Sequence, residues 1–361
     1  MARQNAACQC EPKSIKKMQD WNIAPLERLG NAFAGEEWER AVAAAGGRNS
    51  WFTRGQVERA VAAVRRGMFA PNRLREWLAA YRKPAAWQPV TVGVVTAGNL
   101  PLVGLADLAA AVAVGHRVVV KPSSKDRPLT EFVVGRLREE GAAMEVVEKL
   151  EADGVDGVIA TGGDAAREAF EREFRGIPAL LRGSRLSAAV LNGTESEAQL
   201  AGLAEDMFLY WGLGCRSVTR LWVPRGYDTK ALAERLRLHL PFAEDEAVQY
   251  RSCYRYARAM AAMNGETWVD GGAFVLRQVA ASAPPMAPKL AEVEWSEYVS
   301  VEEVAAWLAL HESRLQCVSG EAPDTFPRRV ALGQTQHPRW TDYADGVDTV
   351  AFLLSLQPKE R

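Results

Sequence analysis

One cysteine on a glycine-rich bend is the strongest chemical feature of this sequence. It lies in the run Trp211-Gly212-Leu213-Gly214-Cys215-Arg216-Ser217. Before it, Leu200, Leu203, Ala204, Met207 and Phe208 recur at helical spacing within Glu195 to Tyr210. After it, Val218, Leu221, Trp222 and Val223 read as a strand that stops at Pro224. Gly212 and Gly214 admit backbone angles closed to other residues, so the sulfur can be aimed outward. A cation next door, Arg216, favours thiolate over thiol. That combination suits a catalytic nucleophile. A small buried hydrophobe is the other reading of a free cysteine.

Three further groups could serve such a nucleophile. Asn99 offers a neutral amide in Thr96-Ala97-Gly98-Asn99-Leu100-Pro101, just past an apolar run. Lys121 ends a second run and leads into Pro122-Ser123-Ser124. Thr161-Gly162-Gly163 ends a third run and offers bare backbone amides at a helix start, where an anion is welcome. Each also reads blandly, as a turn residue, a solvated charge and an ordinary turn. No G-x-G-x-x-G fingerprint is present.

The elements that would position these groups follow from periodicity. Val90–Val95, Arg117–Lys121 and Asp156–Ala160 are short β-branched runs, the pattern of buried parallel strands. Helical stretches alternate with them: Leu102–Val114 with Pro101 in its first turn, Leu129–Glu140, and Ala165–Phe174. The alternation predicts a doubly wound α/β sheet with ligands beyond the carboxyl ends of its strands. Ser187–Leu191 continues it into the helix before Cys215, and shorter strands and helices follow to Ser319. Helices are expected over Gly35–Ala45 and Arg54–Tyr81, a front region whose residues suggest packing and subunit contacts only.

Composition narrows the function. The chain has 361 residues, 44 basic and 45 acidic, a net charge of −1, so no excess positive charge favours nucleic acid. No apolar run approaches a membrane span, and Met1 to Gln19 lacks the apolar core of a secretory signal. Five scattered cysteines suit a reducing cytoplasm better than a disulfide framework. Cys8 and Cys10 lack a second ligand pair at zinc spacing, and the four histidines do not cluster, so no metal is expected. Near the end, Asp342, Asp345 and Asp348 could bind a divalent ion, or could cap and anchor the chain terminus.

Asn99, Lys121-Pro122-Ser123, the Thr-Gly-Gly turn and the glycine-bound cysteine together resemble the aldehyde dehydrogenase superfamily in order and spacing. The details are closer to its acyl-CoA reductase branch, which includes the long-chain fatty-acyl reductase of bacterial bioluminescence. The resemblance spans roughly residues 50–355 and rests on Val92–Gly104, Val118–Asp126, Tyr210–Thr219 and Asp342–Phe352. It implies two doubly wound α/β domains with the active site in the cleft between them. It implies Cys215 as nucleophile and Asn99 as oxyanion donor. Lys121 and Ser123 would grip the ribose of NADPH or NADH, with Thr161, Gly162 and Gly163 near the pyrophosphate or nicotinamide. Boundaries follow: an N-terminal extension over 1–50, a cofactor domain over 51–192, a catalytic domain over 193–325, and a segment over 326–361 that packs back on the cofactor domain or a subunit interface.

Ordinary aldehyde dehydrogenases carry a water-activating glutamate about one strand before the cysteine. Here that region reads Leu180-Leu181-Arg182-Gly183-Ser184-Arg185. The departure points to acyl-CoA reduction to aldehyde, with coenzyme A as leaving group, in a cytoplasmic homodimer or larger homo-oligomer. An aldehyde dehydrogenase forming acid or thioester, and a non-catalytic or partner-dependent subunit of an acyl-transfer complex, remain the alternatives.

Overall fold

The computed structural model describes residues 21–70, 72–243, 246 and 248–359. Cys8 and Cys10 lie outside them. Four helices come first: α1 (Ala24–Ala32), α2 (Glu36–Arg48), α3 (Arg54–Gly67) and α4 (Arg73–Leu78). The expected long helix after Arg54 thus breaks into two. Then β1 (Thr91–Val95), α5 (Leu105–Val114), β2 (Arg117–Lys121), α6 (Arg127–Glu139), β3 (Met144–Val146), β4 (Gly157–Thr161), α7 (Asp164–Glu173) and β5 (Ala179–Arg182) build a five-stranded parallel sheet. Its order, β3-β2-β1-β4-β5, reverses direction beside β1. That reversal is where a doubly wound sheet opens a ligand crevice.

The chain crosses to a second sheet through Gly183, Ser184 and Arg185. There follow β6 (Leu186–Val190), α8 (Glu197–Phe208), β7 (Val218–Pro224), α9 (Thr229–Arg237), α10 (Val248–Met263), β8 (Trp268–Asp270), β9 (Val275–Gln278), β10 (Glu292–Tyr298), α11 (Val301–Leu310), β11 (Leu315–Gly320), β12 (Arg329–Val330) and α12 (Thr349–Ser355). The order of this seven-stranded sheet is β12-β11-β6-β7-β10-β9-β8. Only the β8–β9 pair is antiparallel. The molecule is therefore two doubly wound α/β units.

Helix α5 is apolar all round because it is enclosed all round: every residue except Ala106 is buried. It packs into a core shared by the five-stranded sheet, the N-terminal helices and α12. His116 ties the chain end to this core, taking Val90 N–H on Nδ1 at 3.1 Å and facing Leu353 O with Nε2 at 3.0 Å. The start of α5 differs from expectation. Pro101 does not enter the helix, because Leu102 adopts a left-handed φ of 60° and delays the first turn to Leu105.

Candidate active site between the two sheets

The cysteine loop is held on every side by buried hydrogen bonds. Helix α8 ends at Phe208, and Tyr210 and Trp211 then take left-handed angles. Gln56 on α3 accepts Tyr210 N–H at 3.2 Å, and Trp211 Nε1 donates to Trp51 O at 3.0 Å. Ser217 Oγ accepts Gly214 N–H at 3.2 Å, and Ser187 Oγ donates to Cys215 O at 3.0 Å. Gly212 has the positive φ its position suggested, 74°. Gly214 is needed for another reason: a Cβ there would lie 3.1 Å from Leu100 Cδ1.

Cys215 opens onto a cavity of about 220 Å³. Leu100, Leu102, Val64, Met68, Trp77 and Trp340 supply much of its apolar wall. The front region, expected to carry packing alone, therefore shapes the space in front of the thiol. Tyr343 and Arg339 from the chain end also line it. Trp340 stacks on Trp77 at 4.3 Å with 7° between planes, and its Nε1 donates to Met68 O at 2.7 Å. Trp77 Nε1 donates to Tyr343 Oη at 2.6 Å. Asp206 on α8, pushed up to about 6 by burial, accepts Gly333 N–H, Thr335 N–H and Thr335 Oγ1. That carboxyl anchors the segment that carries Trp340.

The thiol is not the ready thiolate that the neighbouring arginine suggests. Burial raises its pKa, and Arg216 and Arg182 offset this only in part, while Asp345 adds to the rise. Arg216 also serves the backbone, since its Nη2 donates to Asp342 O. No histidine stands by to accept the proton: His116, His239 and His337 bond elsewhere, and His311 packs on Trp307.

Asn99 is exposed, and its Nδ2 donates to Leu213 O at 2.9 Å. The amide therefore touches the cysteine loop directly. The other predicted groups stand along one edge of the five-stranded sheet. Val95 on β1 lies in register between Lys121 on β2 and Ala160 on β4. Ser123 N–H donates to Thr96 Oγ1 at 3.2 Å, which folds the Lys121–Lys125 loop against the Asn99 loop. Gly98 makes this possible, because a Cβ there would fall 2.3 Å from Ser123 Oγ. Thr161 Oγ1 is buried without a hydrogen-bond partner. Gly163 caps α7 with its backbone alone. Asp164 follows at once and accepts Ser184 N–H at 2.8 Å, so a carboxylate already sits at this helix start.

Three polar residues in the cavity wall escaped the sequence reading. Asp107 and Arg182 form an ion pair of 2.6 Å, and Thr349 Oγ1 accepts the second Arg182 nitrogen at 2.9 Å. A carboxylate is thus present in front of Cys215, supplied by α5 and not by the strand before the cysteine. Its signal was available: Asp107 is the one charged residue in an apolar helix. Asp342 lines the same cavity. Burial raises its pKa, but hydrogen bonds from the Arg339 side chain and amide more than offset this and leave it below the usual range. The aspartates of the tail bind no metal as a set. Asp342 holds Arg339, Asp345 pairs with Arg185 at 2.9 Å, and Asp348 caps α12 and accepts Tyr81 Oη. Among the described residues no cluster could hold a metal ion. Nor is any helix among them long and apolar enough to cross a membrane.

Solved structures with this fold are aldehyde dehydrogenases. A variant of aldehyde dehydrogenase C from Pseudomonas syringae, solved with NAD+ and octanal, superposes with a TM-score of 0.62 at 16% identity, covering 86% of this chain and 73% of that one. An NAD-dependent benzaldehyde dehydrogenase from Corynebacterium glutamicum gives 0.61 at 15%, covering 86% and 79%. An NADP-dependent glyceraldehyde-3-phosphate dehydrogenase from Bacillus halodurans, solved with NADP, gives 0.57 at 17%, covering 84% and 74%. No curated protein matches the sequence. The family comparison is more specific. The description of acyl-CoA reductase (LuxC) matches residues 38–264, which include every candidate residue named from Asn99 to Cys215. With well over half of its length matched, this chain belongs to the acyl-CoA reductase (LuxC) family.

Proposed function

We propose that the protein reduces an acyl-CoA thioester to the aldehyde, through an S-acyl intermediate on Cys215, with NADPH or NADH as reductant. The observation that carries this reading is Cys215 at the mouth of an enclosed apolar cavity, with both nearby carboxylates held by arginines. Such a wall suits an acyl chain, and a site short of free base suits thiol exchange better than hydrolysis.

The chain's own groups account for acylation. The Cys215 sulfur, once ionised, attacks the thioester carbon and coenzyme A leaves as its thiol. Arg216 and Arg182 favour the thiolate against burial. Because burial wins, acylation should speed up as pH rises. Asn99 spends one amide hydrogen on Leu213 O and keeps a second for the developing oxyanion. Donors of this kind contribute about 3–4 kcal/mol in other enzymes.

The strand ends fit a dinucleotide. Thr161 Oγ1 is an orphaned buried hydroxyl, Gly163 leaves the start of α7 open, and no hydrogen bond or ion pair engages the Lys121 ammonium among the described residues. Lys121 and Ser123 would hold the ribose, with Thr161, Gly162 and Gly163 toward the nicotinamide end. Asp164 disfavours a phosphate directly on the α7 terminus. A reduced nicotinamide, when bound, supplies the hydride that turns the S-acyl group into a thiohemiacetal, which releases aldehyde.

The test is oxidation of NADPH and NADH with acyl-CoAs of graded chain length, with aldehyde measured directly. Cys215→Ser should lose about a thousandfold or more in turnover, as removal of a nucleophile does. Cys317→Ser, at a buried position whose sulfur meets Ser187 Oγ, should stay within about threefold, inside the range of ordinary core swaps. Absence of turnover with every acyl-CoA, or wild-type behaviour of Cys215→Ser, would end the proposal.

A further inference from the structure

Asp107 sets a carboxylate in the wall of the cavity that Cys215 opens onto. It is 8% exposed, and its Oδ2 accepts Arg182 Nη1 at 2.6 Å. Arg182 is 3% exposed, gives Nη2 to Thr349 Oγ1, and leaves its own Nε without a partner. Stability is a poor explanation for this arrangement. A buried ion pair with an unmet N–H is commonly no better than two well-packed apolar residues.

Chemistry offers a better one. An S-acyl cysteine is a thioester, and a carboxylate beside it is a general base for water. In that side reaction the water oxygen bonds to the acyl carbon and the carbon–sulfur bond breaks. The carboxylate takes one proton from water and returns one to sulfur. The products are a carboxylic acid and the free thiol, with no change in oxidation state. A carboxylate that faces a guanidinium gives up proton affinity, because the cation favours its ionised form. Here the guanidinium also occupies one of its two oxygens.

We propose that Arg182 is a positioning residue that disarms Asp107, so that the acyl group on Cys215 survives in water until it is reduced. The pair then determines the product: aldehyde when it is intact, acid when it is broken. This inference rests on the acyl-thioester reading above. Thr349 on α12 belongs to the device, since it fixes the second nitrogen of the fork.

The experiment omits nicotinamide, so that nothing but water can discharge the enzyme. Full-length protein is mixed with an acyl-CoA, the S-acyl adduct is followed by intact mass, and acid is collected from heavy-oxygen water. Wild type should hold its adduct. Arg182→Met should release labelled acid at least tenfold faster, and Arg182→Met with Asp107→Leu should restore the long-lived adduct. A purely structural role for Arg182 would not be reversed by removing Asp107. Should Arg182→Met fail to fold, Thr349→Val keeps both charges, loosens the fork, and should release acid several-fold faster than wild type. An adduct equally stable in wild type and in the folded Arg182→Met protein would overturn the inference. So would equal acid release by the single and double variants, or, if only Thr349→Val is available, no change there. Failure of wild type to form any adduct would instead strike the function itself, and this inference with it.

Discussion

The cavity before Cys215 and the strand ends of the five-stranded sheet meet at Asn99, yet they are built by different means. The cavity wall comes from α3, α4, α5, the end of β5 and the chain terminus, joined by contacts between residues far apart in sequence. Trp340 donates to Met68 O, Trp77 donates to Tyr343, and Arg182 reaches both Asp107 and Thr349. Its polar groups are largely paired, and the Arg182 Nε is an exception. The strand ends are local and open. Lys121, Ser123 and Thr161 each lie within two residues of a strand terminus, and Thr161 keeps an unpaired hydroxyl. The difference fits a site whose one face is shaped in advance for an apolar chain, while the other keeps polar groups free for a ligand rich in hydroxyls and phosphates.

The largest effect should come from breaking the closed face. Trp340→Ala removes a ring stacked on Trp77 and leaves Met68 O without its donor. Truncation of a buried aromatic costs about 3–5 kcal/mol. Denaturant unfolding should show a loss of that size. If the folded fraction is assayed, the preferred acyl chain should lengthen, because the wall behind the thiol is gone. An unchanged chain-length profile in a destabilised variant would make Trp340 a structural anchor alone.

The two faces also differ in how much of them could be read from residues alone. The strand-end groups lie within short β-branched runs, and periodicity places such runs well. Asn99, Lys121 and Thr161 therefore fall close to where the pattern put them. The cysteine bend was legible for the same reason, since a helix, two glycines and a strand surround it. The cavity wall was not. Nothing in Arg54–Tyr81 announces that Val64, Met68 and Trp77 face a thiol near position 215, because that depends on docking across more than a hundred residues. The short strands β3 and β5 also passed unnoticed. Arg182 was read as one of a polar run, when pairing with Asp107 lets it end β5 inside the protein. The state of the thiol was misjudged by looking at Arg216 alone, since burial is a property of the whole fold.

Asp126 is the joint between the two faces, and it carries the next prediction. It closes the Lys121–Lys125 loop and is fully buried, with Thr130 Oγ1 donating to it at 3.4 Å. The Leu102 backbone N–H, in the cavity wall, also favours its ionised form, but burial dominates and pushes the carboxyl up to about 8. The native state therefore keeps a proton that the unfolded chain releases near its ordinary value. Protons bound only in the native state make stability fall as pH rises between those two values. Asp126→Asn cannot ionise. From about pH 5 to about pH 7 it should lose roughly 2–3 kcal/mol less than wild type, at about 1.4 kcal/mol per unit. Urea midpoints across that range decide the matter, and parallel curves for the two proteins would show that the carboxyl is ionised in the native state.

The smallest effect belongs to the open face, and it is the one that separates the faces most cleanly. Lys121 ends β2 in register with Val95, and its ammonium is unengaged among the described residues. Lys121→Ala should cost little stability, because no ion pair or hydrogen bond is lost. Removing one charge-assisted contact to a ribose or phosphate should raise the nucleotide KM about tenfold, the equivalent of 1.4 kcal/mol. Acylation of Cys215 in the absence of nucleotide should proceed at the wild-type rate, since the cavity wall contains no part of β2. Paired measurements of KM and of adduct formation test this directly. If Lys121→Ala slowed acylation and left KM alone, the strand ends would be serving the acyl substrate, and the division of the site into two faces would have to be redrawn.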